Sequence, residues 1–240
     1  MAIISIKNVC KYFGKKCALN DVSLDISEGE LFGLLGVNGA GKTTLVKILC
    51  GISKMTSGSV VIDGVDLNQD LNKIKEIVDI SPQETSVASN LTVKENLQFF
   101  ANIYGNTNQD CLDEIVEKFG LGDVLNQRAK TLSGGYKRRL SIAIALISKP
   151  KVLFLDEPTL GLDVFARRDL WKIIENLKKN TTIILTSHYL DEVEHLCDRV
   201  AILESGKLIC VGTVESLKET TNSETFEDVF VKLVRGVQYE

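Results

Sequence analysis

The sequence lacks several features that mark special classes of protein. No apolar stretch approaches the roughly 20 residues that a membrane-spanning helix needs, so a membrane role would require a partner. The formal net charge is −4 with 25% charged residues, which gives the chain no overall basic field for binding nucleic acid. Internal repeats, low-complexity tracts and long linkers are also lacking. These absences favour one ordinary globular domain for the 240 residues.

The six cysteines show no pattern of disulfides or metal ligands. They lie far apart, and no C-x-x-C pair is present. The N-terminus shows neither a secretory signal nor a lipidation signal. We therefore expect the cysteines to be reduced core residues of a cytosolic protein.

One glycine-rich stretch dominates what the sequence does contain. Residues 36–44 follow the apolar run 31–35, and their glycines let successive backbone N–H groups turn toward phosphate oxygens. The following helix points its positive end at the same anion. The pattern predicts a phosphate-binding loop in which Lys42 reaches the β- and γ-phosphates and Thr43 binds Mg²⁺. The other residues expected to hold the nucleotide here are Gly36, Asn38, Gly39, Ala40, Gly41 and Thr44.

The segment before this loop has the pattern of an antiparallel sheet with one wet face. Residues 3–26 show alternating and β-branched runs on both sides of a turn at 14–16. Tyr12-Phe13 precedes the turn, and position alone favours packing of an aromatic residue there on the sheet over stacking on adenine. Further strands are predicted at 60–62 and 78–80, and Gln83 follows in a loop where glutamine is most often solvated.

Residues 91–148 change to a helical pattern. A capping box at 92–95 starts the first helix, and a second covers about 111–119. A third begins after Ser133-Gly134-Gly135, which is either a second anion site or a plain capped loop. The run Lys137-Arg138-Arg139 is expected to be a solvated helix face.

Two carboxylates, Asp156 and Glu157, end a fully apolar run. Ligands of parallel sheets collect at the carboxyl ends of the strands, so both acids should face the phosphate loop. One could hold Mg²⁺ while the other polarises water. His188 closes the next predicted strand, which favours a role in the same site, and Asp163 could cap the intervening helix. Two short strands at 200–203 and 208–211 and a helical, partly amphipathic tail follow.

In order and spacing, these motifs closely resemble the ATP-binding subunits of ABC transporters over nearly the whole chain. The family's motifs fall on the phosphate loop at 36–44, the loop glutamine Gln83, the signature at 132–136, the acidic motif at 153–156, the catalytic carboxylate Glu157, the D-loop at 161–163 and the switch histidine His188. Tyr12 matches the aromatic residue that stacks on adenine, which reverses the packing preference given above. The signature ends in Tyr136 where glutamine is commonest, and the turn at 55–58 lacks a proline often found there.

The resemblance implies an α/β fold. Its P-loop NTPase core has a mixed, mainly parallel sheet flanked by helices, together with an N-terminal antiparallel β subdomain. A helical subdomain is inserted at about 88–148. The ABC ATP-binding domain would cover 1–215, and a short C-terminal helical tail would cover 216–240.

The resemblance also implies a mechanism in which two copies stack head to tail as a homodimer. ATP on one phosphate loop would be closed by Ser133, Gly134 and Gly135 of the other copy, with Asp163 also contributing. Glu157 would polarise the attacking water, and His188 would contact the γ-phosphate. The Mg²⁺ ligands would be Thr43, Gln83 and Asp156, and Gln83 would also sense the permease.

The expected function is therefore ATP hydrolysis coupled to transport through a separate integral membrane permease. The protein would be cytoplasmic and peripheral on the inner face of the cell membrane, with no nucleic-acid partner. The segments 91–97, 136–140 and 226–230 look like the ABC-2-type exporter branch for drugs, lipids or polysaccharides. The alternative is a soluble ABC-type ATPase that acts on ribosomes or DNA, but such proteins usually carry tandem domains or long coiled-coil insertions. A phosphotransferase would leave the signature, Glu157 and His188 unexplained.

Overall fold

The computed structural model describes residues 1–235, in which ten strands and nine α-helices are formed. The strands are β1 (Ala2–Phe13), β2 (Lys16–Ser27), β3 (Leu31–Leu35), β4 (Ser57–Ile62), β5 (Val65–Asp66), β6 (Val78–Ser81), β7 (Val152–Asp156), β8 (Thr182–Ser187), β9 (Arg199–Glu204) and β10 (Lys207–Gly212). The helices are α1 (Lys42–Leu49), α2 (Leu71–Ile77), α3 (Val93–Tyr104), α4 (Gln109–Lys118), α5 (Gly134–Leu146), α6 (Val164–Leu177), α7 (Leu190–Leu196), α8 (Val214–Thr221) and α9 (Phe226–Arg235).

Two sheets build the domain. The first has the order β2-β1-β4-β5 and is antiparallel, as predicted for the N-terminal segment. The second has the order β10-β9-β3-β8-β7-β6, and all its pairs are parallel except β9 with β10. This arrangement confirms the predicted P-loop NTPase fold, with its mixed, mainly parallel sheet.

Consecutive residues of the central strands alternate between two hydrophobic cores, because side chains of a strand point to opposite faces. The core shared with the antiparallel sheet and α1 contains Phe32, Phe154 and Ile184. The core shared with the helical insert contains Leu31, Leu153 and Ile183. Burial on both faces explains why the sequence reads as apolar along β3, at 152–155 of β7 and at 183–185 of β8.

The helical insert contains α3, α4 and α5, as its periodicity predicts. Thr92 caps α3: its hydroxyl accepts the Glu95 N–H, while the Glu95 carboxylate accepts the Thr92 N–H. Helix α2 was not predicted. Its seven residues are too few for a clear helical period, and only Ile74 and Ile77 are buried.

The C-terminal helices pack on the domain. Helix α8 runs across the predicted boundary between residues 215 and 216. The division of the chain into a domain and a C-terminal tail stays a prediction. A third core joins both terminal helices to the six-stranded sheet and includes Leu35, Val200, Val214, Leu217, Phe226 and Val229. Residues 236–240 of the predicted tail lie outside the described residues.

Among residues 1–235, no helix is both long and apolar enough to cross a membrane. All six thiols are free, as expected, but only Cys50 is fully buried. The expectation that the cysteines are core residues is met by Cys50. Cys111, Cys197 and Cys210 are partly buried and pack against the cores, and Cys10 and Cys17 are half-buried outside them.

Candidate functional site

The phosphate loop joins β3 to α1 in a conformation that only glycine tolerates at two points. Gly41 has φ +110°, and a Cβ there would lie 2.8 Å from the Ala18 carbonyl oxygen. Gly36 has φ +156°, and its Cβ would lie 2.4 Å from the Leu203 carbonyl oxygen. Any side chain at either position would displace the loop backbone.

The loop presents free backbone donors at the start of α1. In the described part of the chain, the N–H groups of Gly39, Gly41, Lys42, Thr43 and Thr44 donate to no protein acceptor. Free N–H groups at a helix start carry the positive end of the helix dipole. The loop therefore has the donors that a phosphate group needs.

Three charged or titratable side chains meet next to this loop. The Lys42 ammonium donates to the Gly36 carbonyl oxygen at 2.6 Å, and its Nζ lies 3.8 Å from Glu157 Oε1. Glu157 Oε2 is hydrogen-bonded to Nδ1 of His188 at 2.6 Å. Lys42 is 6% exposed and Glu157 7%. Burial lowers the pKa of Lys42, and the carboxylates of Glu157 and Asp156 act against this shift.

The carboxyl end of β7 holds the two acids in different surroundings. The Asp156 carboxylate accepts the Thr186 hydroxyl at 2.5 Å, across the β7–β8 pair. Glu157 has left the strand with φ +50°, a strained conformation for a residue with a side chain, and its N–H donates to Thr186. Thr186 therefore fixes both acids. A threonine at the end of a buried strand was the only sequence signal for this role.

A cavity of about 500 Å³ lies over the loop. Its lining includes these predicted residues: Asn38, Gly39, Ala40, Gly41, Lys42, Thr43, Thr44, Gln83, Glu157 and His188. Its other lining residues are Phe13, which the sequence places beside Tyr12 before the first turn, and four residues that were not predicted: Lys16, Cys17, Ala18 and Leu160. Gly36 takes part through its carbonyl oxygen, which accepts from Lys42.

Tyr12 does not line this cavity, contrary to the role implied by the resemblance, and its neighbour Phe13 does. The two aromatic residues are consecutive in β1, so their side chains point to opposite faces and only one can serve the site. Phe13 is 54% exposed, and the Lys11 ammonium lies 4.7 Å from the centre of its ring. Phe13 therefore replaces Tyr12 as the candidate for the adenine contact.

The signature residues lie outside the cavity. The Ser133 hydroxyl accepts the Tyr136 N–H and caps α5, while Gly134 and Gly135 approach Leu162 and Ala166. Asp163 caps α6 by accepting the N–H groups of Phe165 and Ala166. The signature and the D-loop thus form a second, partly exposed helix-start surface that does not line this cavity, although Leu160, directly before the D-loop, does.

The Lys137-Arg138-Arg139 run is not a solvated face, so that expectation was wrong. Arg138 is 4% exposed and donates to the carbonyl oxygens of Pro82 and Gln83, each at 2.7 Å. A guanidinium has a planar fork of donors that can bind two carbonyls at once. Arg138 therefore ties the start of α5 to the loop that carries Gln83.

The donor set fits a magnesium nucleotide. Thr43 and Gln83 offer hydroxyl and amide oxygens at the cavity. Asp156 does not line this cavity: it is 4% exposed, its carboxylate accepts the Thr186 hydroxyl and it borders the neighbouring groove, so its role as a Mg²⁺ ligand stays a prediction. Mg²⁺ prefers oxygen ligands and usually takes only one or two carboxylates besides phosphates and water. In residues 1–235 no cluster of three or more His, Cys, Asp or Glu side chains offers a protein-only metal site.

Comparison with known proteins decides the family. The sequence matches the family model described as ABC transporter over residues 19–160. The chain belongs to the ABC transporter family, as one of its ATPase domains. A solved structure of an ATP-binding subunit of an ABC transporter superposes with a TM-score of 0.85 at 26% identity, covering 96% of this chain and 99% of that one.

Two further relatives add detail to the family match. The probable multidrug ABC transporter ATP-binding protein YbhF of Escherichia coli is 38% identical over 241 residues, which cover 97% of this chain and 42% of YbhF. A dimeric ATP-binding cassette in a post-hydrolysis state, bound to ADP and Pi, superposes with a TM-score of 0.77 at 25% identity over 88% of this chain and 98% of that one. The chain spans only 13% to 42% of the length of the first curated relatives that it matches.

Proposed function

We propose that this chain binds and hydrolyses ATP as the motor of an ABC transporter. The observation that carries the proposal is the meeting of Lys42, Glu157 and His188 at a loop with free backbone donors. Lys42 would hold the β- and γ-phosphates, and Glu157 would accept a proton from the attacking water. His188 would orient Glu157 through the 2.6 Å hydrogen bond. The bound Mg²⁺, held by Thr43, Gln83 and Asp156, would neutralise charge on the phosphates.

We infer that the working unit is a homodimer with two shared sites. The signature and the D-loop lie outside the chain's own cavity, so a second copy must supply them if they act on the nucleotide. The dimeric ATP-binding cassette with bound ADP and Pi supports this arrangement. Ser133, Gly134 and Gly135 would then close the phosphates from the opposite side, with Asp163 next to them.

We also propose a separate membrane permease as partner, at the inner face of the cell membrane. An apolar groove of about 360 Å³ between α1, β6 and the helical insert is lined by Pro82, which adjoins Gln83, and by Ile52, Phe100 and Tyr104. Ile52 is 63% exposed and Tyr104 40%, and exposed apolar side chains that share one groove are typical of a protein–protein contact. A permease segment in this groove would touch the Gln83 loop directly. The direction that we propose for transport is export, because the segments 91–97, 136–140 and 226–230 resemble the exporter branch.

The adenine contact can be tested by a pair of neighbouring substitutions. Phe13→Ala is expected to raise the Kd for ATP about tenfold, because stacking of a base on an aromatic ring is worth about 1–3 kcal/mol. Tyr12→Ala should leave the Kd within about twofold of wild type, since Tyr12 lies outside the cavity. Titration with a fluorescent ATP analogue measures both. The reverse order of effects would return the adenine contact to Tyr12.

The shared site can be tested at Gly134. A Cβ at this position meets nothing closer than 3.6 Å, and an aspartate at a helix start suits the helix dipole. Gly134→Asp should therefore fold, yet its carboxylate would repel the phosphates of the partner's nucleotide. We expect ATP turnover to fall at least about 100-fold, which is the typical loss when an enzyme loses a hydrogen-bond donor that stabilises negative charge in the transition state.

The matched control is Gly122→Asp, because Gly122 is exposed in the same helical insert and has open space around it. Its turnover should equal that of the wild type. Full turnover in Gly134→Asp would show that the signature does not close a nucleotide site, and the dimer proposal would fail.

A further inference from the structure

A buried carboxylate lies behind the turn that carries His188. Glu192 in α7 has no exposed surface. Its Oε2 accepts the Ser187 hydroxyl at 2.6 Å, and its Oε1 accepts the Trp171 indole N–H at 3.2 Å. The Ser187 oxygen in turn accepts the Tyr189 N–H at 3.0 Å. The residues on both sides of His188 are therefore tied to Glu192.

Keeping a carboxylate in this position is costly. Burial raises the pKa of Glu192, and its hydrogen bonds to Ser187 and Trp171 act in the opposite direction. An apolar residue would avoid this cost but would leave two buried donors without acceptors. The carboxylate thus contributes a specific geometry to the turn, and none of the roles proposed above accounts for it.

The same network reaches α6, the helix that begins directly after the D-loop. Trp171 lies in α6, and so does Arg167, whose guanidinium stands 5.4 Å from the Tyr189 ring and pairs with Asp191 at 3.3 Å. The Tyr189 ring lies 4.2 Å from the His188 ring. Helix α6 therefore contacts the turn by a buried path through Glu192 and by a surface path through Arg167.

We propose that Glu192 is a positioning residue for His188. It holds Ser187 and, through Ser187, the Tyr189 backbone, so that the imidazole stays on Glu157 at hydrogen-bonding distance. Trp171 lies in α6 and links this arrangement to that helix. Because α6 begins directly after the D-loop, the D-loop, which a second copy would contact, is thereby coupled to the switch histidine. The inference rests on the proposed function, in which His188 and Glu157 act on ATP.

Substitutions at Glu192 and Ser187 test the proposal. Glu192→Ala should lower kcat about tenfold or more, because it removes two hydrogen bonds to a charged group that act on the position of His188. The Kd for ATP should stay within about threefold of wild type, since no phosphate contact is lost. Glu192→Gln keeps the shape of the side chain and one acceptor oxygen, so its kcat should lie between that of the wild type and that of Glu192→Ala. Glu194→Gln, in the same helix but exposed, should match the wild type.

Ser187→Ala serves if Glu192→Ala does not fold, because it removes a single hydroxyl. The same loss of kcat at unchanged Kd is expected. Trp171 is the only tryptophan of the chain, so its emission comes from this ring, which contacts Glu192 and also the side chains of His195 and Arg167. ATP with Mg²⁺ should change the emission in the wild type, and the change should be largely lost in Ser187→Ala although ATP still binds.

The outcomes separate the inference from the proposed function. If His188→Ala lowers turnover while Ser187→Ala and Glu192→Gln retain wild-type kcat and the wild-type emission change, the positioning role is wrong and the function stands. A fall in kcat that follows weaker ATP binding and a lower unfolding temperature would reduce Glu192 to a structural role. If wild type does not hydrolyse ATP, or His188→Ala is fully active, the proposed function itself fails.

Discussion

The Glu157→Gln variant is expected to bind ATP, to hydrolyse it at least about 100-fold more slowly than the wild type, and to remain an ATP-bound dimer. Glutamine keeps the size of the side chain and can still bond to His188, but it cannot take a proton from water. The wild type should form the same dimer only transiently, because hydrolysis reopens it. Sizing chromatography at saturating ATP and Mg²⁺ measures the dimer, and release of phosphate measures turnover.

Two controls sharpen this result. Glu194→Gln makes the same chemical change at an exposed position and should be active and monomeric under the same conditions. The combination of Glu157→Gln with Gly134→Asp should not dimerise on ATP, since the closing surface is blocked. A Glu157→Gln variant that stays monomeric at saturating ATP would contradict the shared site.

The fold and the chemical centre could be predicted because their signals are local in the sequence. A buried parallel strand is a short apolar run, and a phosphate loop needs glycines, a lysine and a threonine at fixed spacing. Acids and a histidine at strand ends fall at one edge of the sheet once the strands are parallel. The meeting of Lys42, Glu157 and His188 follows from these rules.

The missed features depend on contacts between distant segments. Whether Tyr12 or Phe13 faces the cavity depends on how the β1–β2 hairpin sits against the loop, and two adjacent aromatic residues look alike in sequence. Arg138 belongs to a charged run typical of a wet helix face, yet its guanidinium is buried because two carbonyls from the loop at 82–83 turn toward it. Glu192 likewise reads as one more acid of a short polar helix.

Replacement of Lys42 is the second substitution with a large expected effect. Lys42→Ala should lower hydrolysis at least about 100-fold, because it removes a buried cation placed at the phosphates. Lys75→Ala, an exposed change in α2, should leave turnover unchanged. Full turnover in Lys42→Ala would refute the assignment of the phosphate loop.

A mixture of two inactive variants distinguishes a shared site from a site within one chain. In a dimer of Lys42→Ala with Gly134→Asp, one site carries both defects, and the other combines an intact phosphate loop with an intact signature. Random pairing makes half of the dimers mixed, so the mixture should recover about a quarter of the wild-type turnover if the sites act independently. A site built within one chain would recover nothing, because each chain in the mixture carries its own defect. Recovery therefore requires that Lys42 of one copy and Gly134 of the other act on the same ATP.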